Sequence, residues 1–558
     1  MGIEERLKQR TFQRRKIEHL FAVSDILLVI AAAAFTSIFL PIRSQYQNLA
    51  NLEVILLLQS LVLIGISLPL LAVSDWEPTV YGRALGGGLL GYSLIIFLMY
   101  GSWTIEWIVW TLVILFVAIW HIWIARGINH NKGSDVSRSD EIGSVDPPDI
   151  VATALIVVSG VIVFWFASSL SPLMRQAADF YTLTPIVGFI IIIYALVRQI
   201  GYRMDTSFAV FLVAWVFIWI FAMFITSPDF NQFGTDAILF AQYGADLILQ
   251  GANPYVQSMA PAFERYPIDS RYLTYRIDGS TVQSYSYPGA SLLIFTAGAL
   301  LGIPNLNWVS LIFFLAILIF FIIETQGAYR FASAAILLAS REYVLFTSGG
   351  VFDIIYIFFL LLGMKFWADQ SYRLAAFVIG FSFAIKQVPW LIGPYMAIWL
   401  YKESSDIDAF RRYARDTIGV GLIGFMLPNI PFAVSAPLDW IQGVLTPVAG
   451  GSPLTMQGAA LVSFTTSNIL YVPRWYFVGL VMIVYTATIL LFFLWFDECK
   501  WAAWILPAVV YFVHYRSLLN YFVFAPIIAY YALILKYELT ATCDLSPWVS
   551  IIRERISV

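Results

Sequence analysis

The sequence predicts an all-α, polytopic transmembrane protein, and three observations carry that prediction. Of the 558 residues, 60% are hydrophobic and only 12% are charged, against roughly 25% charged residues in soluble domains. Mean hydropathy is +0.79. Apolar stretches of about 20 residues, enough to cross a bilayer as a helix, recur almost end to end, whereas a membrane barrel would show alternating segments of about 10 residues. On this basis about 16 spans are expected. The net charge of −3 is too mild to indicate a nucleic-acid partner. Cys499 and Cys543 lie too far apart in sequence to suggest a metal motif, and they give no disulfide framework.

The first residues, MGIEERLKQRTFQRRK, are basic, and an apolar run from about Phe21 to Leu40 follows. That run is longer than the core of a cleavable signal peptide. Lys8, Arg10, Arg14, Arg15 and Lys16 place the amino terminus in the cytoplasm by the positive-inside rule. Further spans are expected near 52–73, 84–100, 104–125, 149–169, 181–199 and 207–226. A mixed-charge segment rich in Gly, Ser and Pro, between 125 and 149, reads as a flexible cytoplasmic loop. Residues 1–206 thus form an N-terminal module of about six spans with no assignable role. The next span carries the chain outward, so the long polar stretch 227–287 lies outside.

Beyond that loop, spans are expected near 288–303 and 307–325. The stretch YRFASAAILLASREYVLF, from Tyr329, either crosses the membrane or lies in its interface. If it crosses, 373–400 is one long helix. Otherwise 373–386 and 388–400 are two half-crossings with Lys386 near the outer face, the preferred reading because a lysine deep in lipid is expensive. Both choices bring YKESSDIDAFRRYARD to the cytoplasm, in agreement with Lys402, Arg411, Arg412 and Arg415. A span near 417–434 leads to a second external loop, 435–474, whose short amphipathic opening is expected to rest on the membrane surface. The last spans fall near 475–496, 500–513 and 517–535. They place His514-Tyr515-Arg516 at an outer turn and leave 536–558 as a cytoplasmic tail.

The first external loop holds Asp229 and Asp236, followed by a surface helix over about Thr235 to Gln250. Ile238, Leu239, Ala245 and Ile248 fall on one face of it, and Gln242, Asp246 and Gln250 on another. A carboxylate near a helix amino terminus serves as an ordinary cap or as a chemical base, and the residues leave both open for Asp236. Gly251 and Asn253-Pro254-Tyr255 form a stop signal. Arg265, Arg271 and Arg276 follow, suited either to ordering the loop or to an acidic acceptor. Tyr285, Tyr287 and Pro288 mark the return to the membrane, where tyrosines commonly anchor spans. Asp353, after Gly349-Gly350 at the mouth of an apolar span, suits substrate hydroxyls or a cap.

The order of these elements resembles the first external loop of GT-C membrane glycosyltransferases, in particular the polyprenyl-phosphate mannosyltransferases of glycosyltransferase family 87. An external aspartate precedes a surface helix that ends in G-x-N-P-Y (Gly251 to Tyr255), and Y-x-Y-P follows (Tyr285 to Pro288). The resemblance continues through GGVFD (Gly349 to Asp353), GFSFAIKQVPWLIGP (Gly380 to Pro394) and HYRSLLNYFVFAP (His514 to Pro526). It covers 207–535, the expected GT-C-like catalytic module. The chain departs from it at Tyr287-Pro288-Gly289, where the family more often repeats proline, and before 207.

The resemblance implies transfer of mannose or another hexose from a polyprenyl-phosphate donor to a hydroxyl of a glycan, lipid or glycoprotein acceptor. Transfer would take place on the extracytoplasmic face of the cell membrane, with inversion. By its spacing to G-x-N-P-Y, Asp236 would be the general base, with Asp229 in reserve or positioning the acceptor. The polyprenyl-phosphate leaving group needs fixed cations or donors, for which Lys386, His514 and Arg516 are candidates. The plainer reading has Arg516 snorkelling to headgroups and His514 closing a helix end. Tyr255, Tyr287 and Asp353 join them as candidate substrate contacts. No zinc cluster or P-loop is present in the sequence, and a divalent cation is compatible with the pattern without being required by it. A transporter or flippase of lipid-linked glycans is the main alternative, and an inactive relative that scaffolds glycan assembly is another. Charges concentrate at the external loops, and no two-fold repeat is evident.

Overall fold

The computed structural model describes, with short internal gaps, residues 205–226 and 234–540, together with isolated helical positions between 22 and 195. Asp229, Arg271, the loop between 125 and 149, most of the expected spans before 205 and the tail beyond 540 lie outside the described residues. The described chain is mostly helical. Three of its helices are long and apolar enough to cross a bilayer: Asn307–Glu324, Ile407–Ser435 and Arg474–Leu494. Helix Asp205–Thr226, with 22 residues, is of similar length, while other apolar helices among the described residues, Gly289–Leu300, Tyr329–Leu338 and Tyr372–Phe383, are shorter.

Numbering starts at the first helix described end to end. Helix α1 (Asp205–Thr226) runs against α4 (Asn307–Glu324), with Phe221 edge-on to Trp308 at 5.5 Å. Between them in sequence come α2 (Asp236–Leu249) and α3 (Gly289–Leu300). Helix α3 has 12 residues, about 18 Å at 1.5 Å per residue, and it packs along α2. Leu292 fits against Gly244, and Gln242 Oε1 accepts the Leu306 N–H at 3.2 Å. Helices are present at both expected positions, 288–303 and 307–325, but only the second is long enough to cross a bilayer.

The helix expected over about Thr235 to Gln250 is present as α2, and most of it from Asp236 to Leu247 is buried against the rest of the protein. Two of its three polar positions are engaged: Gln242 holds Leu306, while Asp246 accepts the Tyr266 hydroxyl at 2.5 Å and pairs with Arg265 at 3.1 Å, and Gln250 is exposed. Arg265 therefore orders the loop.

Helix α4 runs parallel to α7 (Asp353–Ala368). Phe313 packs on Phe358 and Phe359, and at the far end Lys365 Nζ lies 2.6 Å from Glu324 Oε2. Helices α5 (Tyr329–Leu338) and α6 (Arg341–Ser348) lead from that end back to the start of α7. Tyr329 O accepts the Tyr530 hydroxyl, and Tyr343 stacks on Phe524. The stretch from Tyr329 thus runs the length of the bundle rather than along its edge.

Helices α8 (Tyr372–Phe383) and α9 (Gly393–Glu403) form a hairpin whose open ends are joined by Tyr372 Oη to Glu403 at 2.9 Å. Its tip, with a 3-10 turn at Val388–Ile392, carries Lys386. The two half-length helices expected in this region are present. Helix α8 approaches α10 (Ile407–Ser435) so closely that a Cβ on Gly380 would lie 2.0 Å from Gly421 O, and one on Gly424 2.2 Å from Phe377 O. Small residues permit that backbone contact.

The segment 435–474 opens with α11 (Pro437–Ala449) and continues as an extended strip. Thr455 N–H donates to Tyr275 O at 3.0 Å, and β1 (Gln457–Gly458) pairs in parallel with β2 (Arg516–Ser517). The strip is therefore laced to the first loop on one side and to the turn before Asn520 on the other. Helices α12 (Arg474–Leu494), α13 (Leu506–Phe512) and α14 (Ala525–Lys536) complete the bundle. Both loops, the hairpin tip, the start of α7 and the head of α12 gather at one end.

Candidate functional site

Asp236 is the first residue of α2, and the cap position before it is Thr235, whose side chain makes no capping bond. The Asp236 carboxylate instead accepts the backbone N–H of Thr274 at 2.7 Å, across the first loop. Burial pushes its proton affinity above the ordinary carboxylate range, while the Thr274 hydrogen bonds and the Arg516 charge pull the other way. Arg516 is linked to it through the same threonine, with Nη2 donating to Thr274 Oγ1 at 3.0 Å. The result is a carboxylate, a hydroxyl and a guanidinium in one chain of contacts.

His514 Nδ1 lies 3.0 Å from the Arg516 backbone nitrogen and 3.1 Å from the Arg516 carbonyl oxygen. Burial lowers its pKa to about 4; the hydrogen bond to the Arg516 backbone opposes that shift, and the Arg516 and Arg474 charges add to it. The imidazole is therefore neutral near pH 7.

Lys386 and Asp353 form a buried ion pair at 2.5 Å, with the Asp353 side chain 0% exposed. The second carboxylate oxygen accepts from Asn520 Nδ2 at 3.1 Å. The ammonium is also ringed by Phe352, Tyr287 and Tyr521, with centroids at 5.4, 5.6 and 5.9 Å. The Asp353 carboxylate, a candidate substrate contact by sequence, pairs with Lys386 and Asn520 and does not line the cavity. Tyr255 is also set back from the cavity wall: its hydroxyl donates to Tyr287 O at 2.6 Å and its ring meets Tyr285 edge-on. It positions Tyr287, which does line the cavity.

The cavity has a volume of about 430 Å³. Asp236, Thr274, Lys386, His514 and Arg516 line it, as does Arg474 at the head of α12. Its apolar wall includes Leu391, Val478, Met482 and Val510. Val478 and Met482 are 46% and 62% exposed, so this wall continues onto the outer apolar face of α12. Residues more than 270 positions apart in sequence, Asp236 and Arg516 among them, are thus brought to one pocket with a polar end and an apolar side.

Three participants carry little sequence signal. Thr274 contributes a backbone N–H and a hydroxyl from an ordinary polar loop position. Asn520 lies inside HYRSLLNYFVFAP but looks like a helix-start polar residue. Arg474, after Pro473 at the head of an apolar helix, occupies a position where arginine ordinarily snorkels. Among the described residues no group of His, Cys, Asp and Glu gathers in a metal-binding arrangement. No family model matches this chain, and no curated protein or solved structure matches it.

Proposed function

We propose that the protein is a membrane glycosyltransferase that moves a hexose, mannose in the first instance, from a polyprenyl-phosphate donor to a hydroxyl acceptor on the extracytoplasmic side. The observation that carries this reading is the shared cavity of Asp236 and Arg516, with an apolar wall that runs out onto an exposed helix face. A carboxylate with raised proton affinity suits a general base that must take a proton from an alcohol. Fixed guanidinium donors suit the charge that develops on a departing phosphate. The apolar wall suits the isoprenoid chain, which enters from the bilayer without leaving it.

The topology behind this reading places the loop-bearing end of the bundle outside and the end with Lys365, Glu403 and Arg415 in the cytoplasm, in keeping with the basic residues there. Attack by the acceptor oxygen opposite the leaving phosphate, with one base and no covalent intermediate, inverts the anomeric centre.

The test uses the purified full-length protein in lipid nanodiscs with radiolabelled polyprenyl-phosphate mannose and a panel of hydroxyl acceptors. A new glycoside, formed by the wild type and not by Asp236→Asn, supports the proposal. Relocation of the labelled lipid across proteoliposomes without any glycoside would refute it in favour of a carrier.

A further inference from the structure

Two arginine nitrogens, Arg516 Nη1 and Arg474 Nε, are buried without a hydrogen-bond partner among the described residues, and both arginines line the cavity. Buried orphan donors are uncommon because each one forfeits its hydration without a replacement bond. Neither guanidinium is loose. Arg474 Nη2 donates to Tyr515 Oη at 3.1 Å with the guanidinium 4.4 Å from the ring, and Arg516 is tied to Thr274. Each is held by one edge with a further donor left over. Lys386 differs, since its charge is already matched by Asp353 at 2.5 Å.

We propose that Arg474 and Arg516 together grip the phosphate of the lipid-linked donor, and that Arg474 serves chiefly the extra charge that appears on the departing phosphate. This inference rests on the glycosyl-transfer reading above. The charge count of the cavity wall is its second support. Lys386 and Asp353 cancel and His514 is neutral, so two arginines face one carboxylate. The wall therefore carries one net positive charge while Asp236 is ionised.

A polyprenyl-phosphate sugar is a phosphodiester with one negative charge, which the wall balances. During transfer the acceptor oxygen bonds to the anomeric carbon, and the bond from that carbon to the phosphate oxygen breaks with its electron pair staying on phosphate. The acceptor proton passes to Asp236. The phosphate leaves as a monoester with one more negative charge, and the wall gains one net positive charge, so the sum is unchanged. A diphosphate-linked donor would exceed the wall by one charge at every stage.

Farnesyl phosphate, its methyl diester and farnesol are suitable probes of the full-length protein in nanodiscs, at a pH of about 7.5 where a phosphate monoester is largely dianionic. The wild type should bind the monoester about tenfold more tightly than the diester. Arg474→Gln should lose about tenfold in monoester affinity, no longer separate monoester from diester, and still bind farnesol. Equal monoester binding by wild type and Arg474→Gln would overturn the clamp and leave the transferase reading standing. A wild type that does not distinguish farnesyl phosphate from farnesol would overturn both. Should Arg474→Gln also lose farnesol, the charge-keeping Arg474→Lys decides: a several-fold loss of monoester affinity supports the forked grip, and wild-type affinity overturns it.

Discussion

Lys386→Met is the perturbation that best separates a structural ion pair from a ligand. Methionine keeps most of the side-chain length and its contacts with Phe352, Tyr287 and Tyr521, but it leaves the fully buried Asp353 carboxylate without its cation. Breaking a buried pair from one side costs about 3–5 kcal/mol. Asp353→Asn should cost less, about 1–3 kcal/mol. Asparagine retains an acceptor for Asn520, and the Lys386 ammonium keeps its aromatic ring and faces the cavity. The double variant carries neither charge and should be more stable than Lys386→Met alone by about 2 kcal/mol. Thermal unfolding of the four proteins in the same nanodiscs closes the cycle. Additive effects, or a Lys386→Met protein that melts with the wild type, would refute the pairing argument and return Lys386 to the phosphate.

Asp236→Asn should lower transfer by about 10²- to 10⁴-fold. Because burial raises the Asp236 pKa, its stabilising contribution is present at low pH and is lost as pH rises through the folded value. The asparagine protein should therefore melt no lower than wild type at neutral pH, which a melting curve checks. His514, with a pKa of about 4, should contribute no limb to a rate profile between about pH 5.5 and 8, where an unperturbed histidine would titrate. A limb in that range that His514→Gln removes would contradict the assignment. Gly380→Val forces a side chain into the Gly421 backbone and should cost about 1–3 kcal/mol or more, read as a lower melting temperature or loss of folded protein. In a background with Cys499 and Cys543 changed to Ser, a membrane-impermeant maleimide should label Leu301→Cys but not Gln326→Cys in intact cells, and the reverse pattern would refute the proposed topology.

Hydropathy made the helical class readable, because a bilayer-spanning length of apolar residues is a local property. It could not read how α3 and α5–α6 are used. A 12-residue apolar helix such as α3 has the composition of a span whether it crosses or braces α2. Contacts across the bundle decide which, through Leu292 on Gly244 and Tyr343 on Phe524. The hairpin tip was legible for a different reason: the energetic cost of burying a lysine in lipid argues for a turn at Lys386, and the turn is there. What sequence did not carry was its partner, since Asp353 reads as suited to substrate hydroxyls or a cap, and nothing local to it points to Lys386, 33 positions away.

Whether Asp236 is a helix cap or a base turns on what its carboxylate touches. A cap side chain folds back onto the exposed N–H groups of its own first turn. Asp236 sits one place inside the cap position, and besides the Ala237 backbone of its own first turn it reaches across to Thr274, whose hydroxyl is in turn held by Arg516. That link fixes the carboxylate at the cavity wall, where capping α2 would not require it to be. It also keeps Arg516 from folding onto Asp236 as a direct salt bridge, which would quench the base and spend the guanidinium together. With Thr274 between them, the carboxylate keeps a raised proton affinity and Arg516 keeps a donor for an anion. On the proposed glycosyl-transfer reading, Thr274→Val, which keeps the backbone N–H to Asp236 and removes the hydroxyl held by Arg516, should weaken phosphate binding more than it weakens folding, and unchanged farnesyl phosphate affinity would refute that role.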